Sequence, residues 1–181
     1  MNWPNRITIA RVALIPLIVI LLQFEAPIFQ GLALIAFMIA SLTDWLDGYI
    51  ARRFQIVTNF GKFLDPVADK LLVLSTMIAL CGLGRFPAWV CVVVLFRELA
   101  VDGLRLVAVE QGRVIAAGKL GKIKTTLQMI TLTLALLDTR MFGSFPITEI
   151  FMYAAVAMTL WSGIDYFVRN GAVLSGGGKT R

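Results

Sequence analysis

Long apolar runs, separated by short polar segments, dominate the chain. Six of them, near residues 9–25, 30–50, 66–84, 87–109, 121–138 and 147–168, are long enough to cross a bilayer, which takes about 20 helical residues. A segment in lipid must meet its backbone hydrogen bonds internally, and runs this long and apolar do so as helices. The pattern predicts an all-α polytopic membrane protein with six transmembrane helices. Met1–Thr8, with Trp3, Pro4 and Arg6, is expected to form a short interfacial segment ahead of the first span. Residues 1–170 read as a single six-helix transmembrane domain and the Gly-rich stretch 171–181 as a flexible C-terminal tail. The first apolar run continues into Pro16 without a small-residue cleavage site, so no removable signal is expected. Gly178-Lys179-Thr180 resembles the end of a phosphate-binding loop, but Val173 stands where that motif needs a glycine.

Composition strengthens the membrane reading. Apolar residues make up 59% of the chain, against about 45–50% in soluble domains. The 17 basic and 11 acidic residues leave a net charge of +6. These cations lie between apolar runs, a pattern of a membrane surface and anionic substrates and not of nucleic acid. With the N-terminus in the cytoplasm, every basic residue except Arg85 and Arg140 falls on the cytoplasmic side. The positive-inside rule then places both termini there. There is no histidine, and Cys81 and Cys91 sit in apolar runs as small core residues. A zinc site is thereby disfavoured, and any metal must be held by oxygen, which suits Mg, Mn or Ca.

The densest polar chemistry lies between Asp44 and Asp69. It reads Asp44-x-x-Asp47-Gly48-x-x-Ala51-Arg52 and, after eight intervening residues, Gly61-x-x-x-Asp65-Pro66-x-x-Asp69. Residues three or four apart share a helix face, so Asp44 pairs with Asp47 and Asp65 with Asp69. Pro66 is expected in the first turn of the second helix. A short loop between the two helices would make them an antiparallel pair and bring four carboxylates together. Carboxylates in a membrane helix are costly, and divalent cations are the simplest compensation. Two metals bridged by carboxylates clamp the attacking and leaving oxygens in phosphate chemistry. Gly48 would let a substrate approach the backbone, Gly61 serves the same end or a turn, and Arg52 is placed to meet a phosphate. The competing reading is that the aspartates cap helices or pair with Arg52, Arg53, Lys62 and Lys70.

This pattern resembles the signature of the CDP-alcohol phosphotransferase family, with every fixed position present, and the six-span layout is similar too. The resemblance implies two divalent cations, Mg or Mn, bridged by Asp44 and Asp65. Asp47 would bind one metal, and Asp69 would bind the other and act as general base. It implies that Gly48 and Arg52, helped by Thr58 and Gly61, hold the CDP part of the donor, and that the chain forms a homodimer. Physical logic agrees: an alcohol is a poor nucleophile, and a carboxylate can take its proton as it attacks phosphorus.

The remaining cations bear on the acceptor. Glu98, Asp102 and Arg105 share a face of the fourth span beside Arg97, either as a structural ion-pair network or as an acceptor pocket. Arg113, Lys119, Lys122 and Lys124 follow. Such a dense cationic set favours an acceptor that is itself a phosphate, with Arg105, Arg113, Lys122 and Lys124 as the candidates to bind it. Asn2-Trp3-Pro4-Asn5-Arg6-Ile7-Thr8, Arg97-Glu98 and Gly121-Lys122-Ile123-Lys124-Thr125 resemble one bacterial branch of the family. That branch moves the phosphatidyl group of CDP-diacylglycerol to sn-glycerol 3-phosphate, giving phosphatidylglycerophosphate and CMP. The likeness implies donor contacts at Asn5 and Thr8. It also implies a multi-pass protein of the bacterial cytoplasmic (inner) membrane whose active site faces the cytoplasm. Rival expectations are a family member using inositol phosphate, a cation transporter with intramembrane carboxylates, and a membrane interaction protein carrying a metal site.

Overall fold

A computed structural model describes residues 3–54, 59–116, 118–137 and 146–174, with side chains for 7–43, 64–116, 118–137 and 147–174. These residues form six α-helices and no strand: α1 Trp3–Leu22, α2 Pro27–Phe54, α3 Asn59–Gly82, α4 Ala88–Glu110, α5 Lys119–Leu137 and α6 Pro146–Asn170. The all-helical expectation holds. Among the described residues one helix, Ile147–Val173, is long and apolar enough to cross a membrane, and Ile7–Leu22 and Pro27–Thr43 are shorter apolar helices. Charges interrupt the apolar stretches elsewhere, as with Asp65, Asp69 and Lys70 in α3 and Arg97, Glu98, Asp102 and Arg105 in α4.

Several boundaries differ from the sequence reading. The helix of α1 begins at Trp3, so residues 3–8 of the expected interfacial segment are continuous with the first helix. Pro4 sits in its first turn, where a missing N–H costs nothing. α3 begins at Asn59, so Pro66 lies in the helix interior and not in the first turn. Its ring removes one backbone hydrogen bond there, and charged residues on both sides hid the true start from a reading based on apolarity. With 28 residues, α2 is about 42 Å long at 1.5 Å per residue. It outreaches the hydrocarbon layer of a bilayer, about 30 Å. Beyond α6 the chain makes a 3₁₀ turn, Gly171–Val173. Val173 is buried and its carbonyl accepts a hydrogen bond from Gln111 Nε2 at 2.9 Å. Within the expected tail Val173 is therefore packed while Ala172 and Leu174 are exposed, and residues 175–181 lie outside the described residues.

α1 packs against both α2 and α3, while α6 packs against α4 and α5, and α2 and α5 join the two groups. Among the described residues α2 and α3 make few direct contacts, and the expected antiparallel meeting of their adjoining ends lies outside the described side chains. The main core draws on all six helices, with Ile18, Phe37, Leu80 and Leu132 fully buried. A second cluster, Val101, Leu104, Ala108, Tyr166 and Val173, joins α4 to α6 and the 3₁₀ turn. Outside, large apolar side chains are exposed on helix after helix, including Ile28, Val92, Phe96, Leu106 and Ile164. A soluble monomer rarely exposes so many large apolar side chains.

Two glycines set the turns. Gly84 and Gly112 both adopt φ of 69°, a left-handed conformation that only glycine takes without strain. Each closes its helix in the same way: Arg85 N donates to Leu80 O and Arg113 N to Ala108 O, a Schellman motif. At this end of α3, Arg85 Nη1 donates to Gln30 Oε1 at 2.8 Å, and Gln30 in turn donates to the carbonyls of Leu22 and Phe24. The turns α1–α2 and α3–α4 are thereby tied together.

Candidate active site

On α3, Asp65 and Asp69 stand one turn apart, as their spacing predicts. Asp65 is exposed and Asp69 half-buried. The buried Thr8 hydroxyl donates to Asp65 Oδ1 at 2.8 Å, so α1 reaches the second half of the aspartate motif directly. Asp44, Asp47, Gly48 and Arg52 lie on α2, Asn5 on α1 and Gly61 on α3, but their side-chain surroundings fall outside the described residues, as does Thr58 altogether. Among the described residues no three acidic, Cys or His side chains converge, which leaves the α3 pair as the visible half of the expected cluster.

Asp69 occupies a particular place. It lines a polar cavity of about 370 Å³ and also an apolar groove of about 490 Å³. The groove runs between α2 and α5, walled by Met38, Leu42, Met129 and Ile130, with Thr125 and Thr126 near Asp69. The cavity draws on α3, α4, α5 and α6. Its cations are Lys70, Arg97, Arg105, Lys122 and Lys124, and its anions are Asp69, Glu98 and Asp165. Cations outnumber anions, so an anionic guest of small size suits it.

Three of the four candidates for an acceptor phosphate, Arg105, Lys122 and Lys124, line this cavity. Arg113 does not join them: it is exposed in the connection after α4 and is not among the lining residues. The reason is local. Arg113 follows the left-handed Gly112, and its backbone closes the helix end, so the chain has already turned away from the axis of α4.

The α4 charges form an ion-pair network, and Arg97, Glu98 and Arg105 also line the cavity. Glu98 Oε1 accepts from Lys124 Nζ and, at 3.2 Å, from Arg97 Nη1. Arg97 Nη2 donates to Ser162 Oγ at 3.1 Å, Ser162 Oγ to the carbonyl of Thr159 at 3.1 Å, and Gln128 Nε2 to Thr159 Oγ1 at 3.1 Å. Lys124 and Gln128 are one turn apart on α5, so the contacts form a closed circuit through α4, α5 and α6. Glu98, Lys124, Gln128, Thr159 and Ser162 are all buried. In such surroundings a polar group is stable only when bonded. Lys70 pairs with Asp102, linking α3 to α4.

Ser162, Asp165 and Tyr166 of α6 also line the cavity, and the sequence reading passed over them. A signal existed. Thr159, Ser162 and Tyr166 recur at helical spacing on an otherwise apolar span, as do Lys124, Gln128 and Thr131 on α5. A polar stripe of this kind marks the face turned toward the bundle interior.

A family model for CDP-alcohol phosphatidyltransferase matches residues 1–161. The chain is 46% identical over 183 residues to a CDP-diacylglycerol–glycerol-3-phosphate 3-phosphatidyltransferase of Bacillus subtilis, covering 93% of this chain and 95% of that one. A protein of the same name from Rickettsia bellii is 39% identical over 171 residues, covering 92% and 93%. A Mycobacterium tuberculosis protein named probable phosphatidylglycerophosphate synthase is 36% identical over 172 residues, covering 93% and 81%. The aspartate motif, the helical bundle and these matches across most of the length agree, and the chain belongs to the CDP-alcohol phosphatidyltransferase family.

Proposed function

We propose that the chain transfers the phosphatidyl group of CDP-diacylglycerol to sn-glycerol 3-phosphate, forming phosphatidylglycerophosphate and CMP. The observation that carries this reading is the position of Asp69 at the seam between a cation-rich cavity and an apolar groove. A reaction joining a small phosphorylated alcohol to a diacyl lipid needs both environments at one reacting centre. The names of the relatives from Bacillus subtilis and Rickettsia bellii support the same pair of substrates.

In this reading the acceptor enters the polar cavity, its phosphate against Arg105, Lys122 and Lys124. Lys124 also holds Glu98, so it contributes fixed direction as much as free charge. The acceptor hydroxyl attacks the phosphorus that carries the diacylglycerol, its proton passes to the Asp69 carboxylate, and the bond from that phosphorus to the CMP oxygen breaks. Asn5, Thr8, Gly48, Arg52, Thr58 and Gly61 hold the CDP group. The acyl chains lie along the apolar groove and in the bilayer.

The donor set fits hard divalent cations, because the motif offers only carboxylate oxygens and Thr8 already fixes one of them on Asp65. Asp44, Asp47, Asp65 and Asp69 would hold two ions, Mg or Mn. When bound, these ions would neutralise the pyrophosphate and ease the departure of CMP.

The exposed apolar shell supports a six-span protein of the bacterial inner membrane, with both termini and the active site on the cytoplasmic side. Residues 1–170 would be the catalytic unit, acting as a homodimer. A cation transporter fits less well, because Asp69 borders a cavity whose cations outnumber its anions. The test is turnover by purified protein in detergent with CDP-diacylglycerol and labelled glycerol 3-phosphate. Labelled lipid and CMP in equal amounts are expected. Turnover with inositol phosphate or serine alone would move the acceptor assignment, and no CMP release with any acceptor would overturn the enzyme reading.

A further inference from the structure

Tyr166 belongs neither to the aspartate motif nor to the cationic set, yet it makes two contacts with Arg105 in the cavity wall. It is 6% exposed and packs with Val101, Leu104, Ala108 and Val173 in the second core cluster. Its hydroxyl oxygen accepts a hydrogen bond from Arg105 Nε at 3.0 Å. The guanidinium carbon of Arg105 lies 5.4 Å from the centroid of the same ring. Hydroxyl and ring therefore act on one side chain, and a buried core residue of α6 fixes a flexible arginine of α4.

What this contact leaves free matters as much as what it uses. A guanidinium has five N–H donors in a planar fork. Tyr166 takes the Nε donor, and among the described residues no hydrogen bond engages the two terminal nitrogens. Those nitrogens are the pair that grips two oxygens of a phosphate side by side. Of the other cavity cations, Lys124 and Arg97 share Glu98 and Lys70 has Asp102, while Lys122 has no ion pair among the described residues. The partner of Arg105 is a phenol and not a carboxylate, and among the described residues Arg105 has no ion-pair partner.

We propose that Tyr166 is a positioning residue for the acceptor: it holds Arg105 so that the terminal nitrogens and the full charge of the guanidinium meet the acceptor's phosphate monoester. This rests on the acceptor reading given above. Tyr166 touches no reacting atom and acts only through Arg105. Its effect falls on acceptor binding, while donor binding and the chemical step are spared.

Steady-state kinetics with glycerol 3-phosphate and CDP-diacylglycerol varied separately tests this. The variants are Tyr166→Phe, Arg105→Lys and the double variant, with thermal melting recorded for each. Tyr166→Phe keeps the ring and removes one oxygen, so the fold is retained. The expected result is an acceptor KM raised about tenfold, the scale of a hydrogen bond to a charged group, with kcat and donor KM within about twofold of the parent. Arg105→Lys raises the acceptor KM more, and adding Tyr166→Phe to it brings no further rise, because coupled residues do not add. An unchanged acceptor KM in Tyr166→Phe, or its full effect persisting beside Arg105→Lys, would overturn the proposal. Acceptor and donor KM rising together with a lowered melting temperature would reduce Tyr166 to a packing residue. If the parent protein turns over but Arg105→Lys leaves the acceptor KM unchanged, the acceptor assignment of Arg105 fails first. A parent with no turnover on glycerol 3-phosphate removes the underlying reading itself.

Discussion

The hydroxyl of Thr8 donates a 2.8 Å hydrogen bond to Oδ1 of Asp65, joining α1 to the acidic face of α3. Asp65 is thus held from a residue 57 positions away in the chain, and one of its oxygens is oriented before any ligand arrives. A hydrogen bond to a charged group contributes about 1.5–3 kcal/mol. Thr8→Val keeps the shape of the side chain and removes the donor. The expected outcome is a kcat/KM for CDP-diacylglycerol lowered about tenfold or more, read from initial rates of CMP release. Parent-like kinetics would show that the bond is incidental.

The cavity separates the cations into two groups. Arg105 and Lys122 line it, and Arg113 does not. Arg105→Ala is expected to raise the KM for glycerol 3-phosphate about 100-fold, as loss of a charge-assisted contact with a phosphate should. Arg113→Ala should stay within about twofold of the parent. A large effect at Arg113 would mean that the α4–α5 connection folds over the cavity during turnover.

Glu98 holds two cations with one oxygen, and its side chain is 11% exposed. Removing the charge strands Lys124 and Arg97 in a buried setting, and breaking such a cluster costs about 3–5 kcal/mol. Glu98→Gln should therefore lower the melting temperature in detergent by roughly 10 °C, given a few degrees per kcal/mol for a chain of this size. Adding Lys124→Met should restore part of the loss by removing the stranded charge. Additive losses in the double variant would argue that the two residues act independently.

Gly112 has a φ of 69° and ends α4 just before Arg113. A side chain there costs about 1–2 kcal/mol in the left-handed conformation. Gly112→Ala is expected to lower the melting temperature by a few degrees with acceptor KM little changed. A wholly neutral substitution would mean that the α4 terminus rearranges freely.

How much of this was legible beforehand depends on distance along the chain. The pairing of Asp65 with Asp69 follows from a spacing of four on a helix, and the helices follow from their apolar runs. Arg105, Lys122 and Lys124 could be grouped because clustered cations in apolar surroundings demand a shared polar space. The starts of α1 and α3 were not legible, since polar first turns carry no apolar pattern, and Pro66 looked like a helix start when it is an interior residue. Tyr166 was missed because its partner Arg105 lies 61 residues away, and nothing local distinguishes a cavity tyrosine from a core one. The role of α1 as a support for Asp65 was hidden for the same reason: only packing reveals that Thr8 faces α3.

In the proposed reaction Asp69 takes the acceptor's proton where the polar cavity meets the apolar groove. The most direct measurement is CMP release from CDP-diacylglycerol by parent and Asp69→Asn proteins, with and without glycerol 3-phosphate and with Mg present, removed by chelation and restored. For the parent, release should require both the acceptor and the metal. For Asp69→Asn, turnover should fall by a factor of about 100 or more, with donor binding, measured by protection from thermal unfolding, largely kept. Turnover near the parent value in Asp69→Asn, or CMP release that ignores the acceptor, would contradict the account.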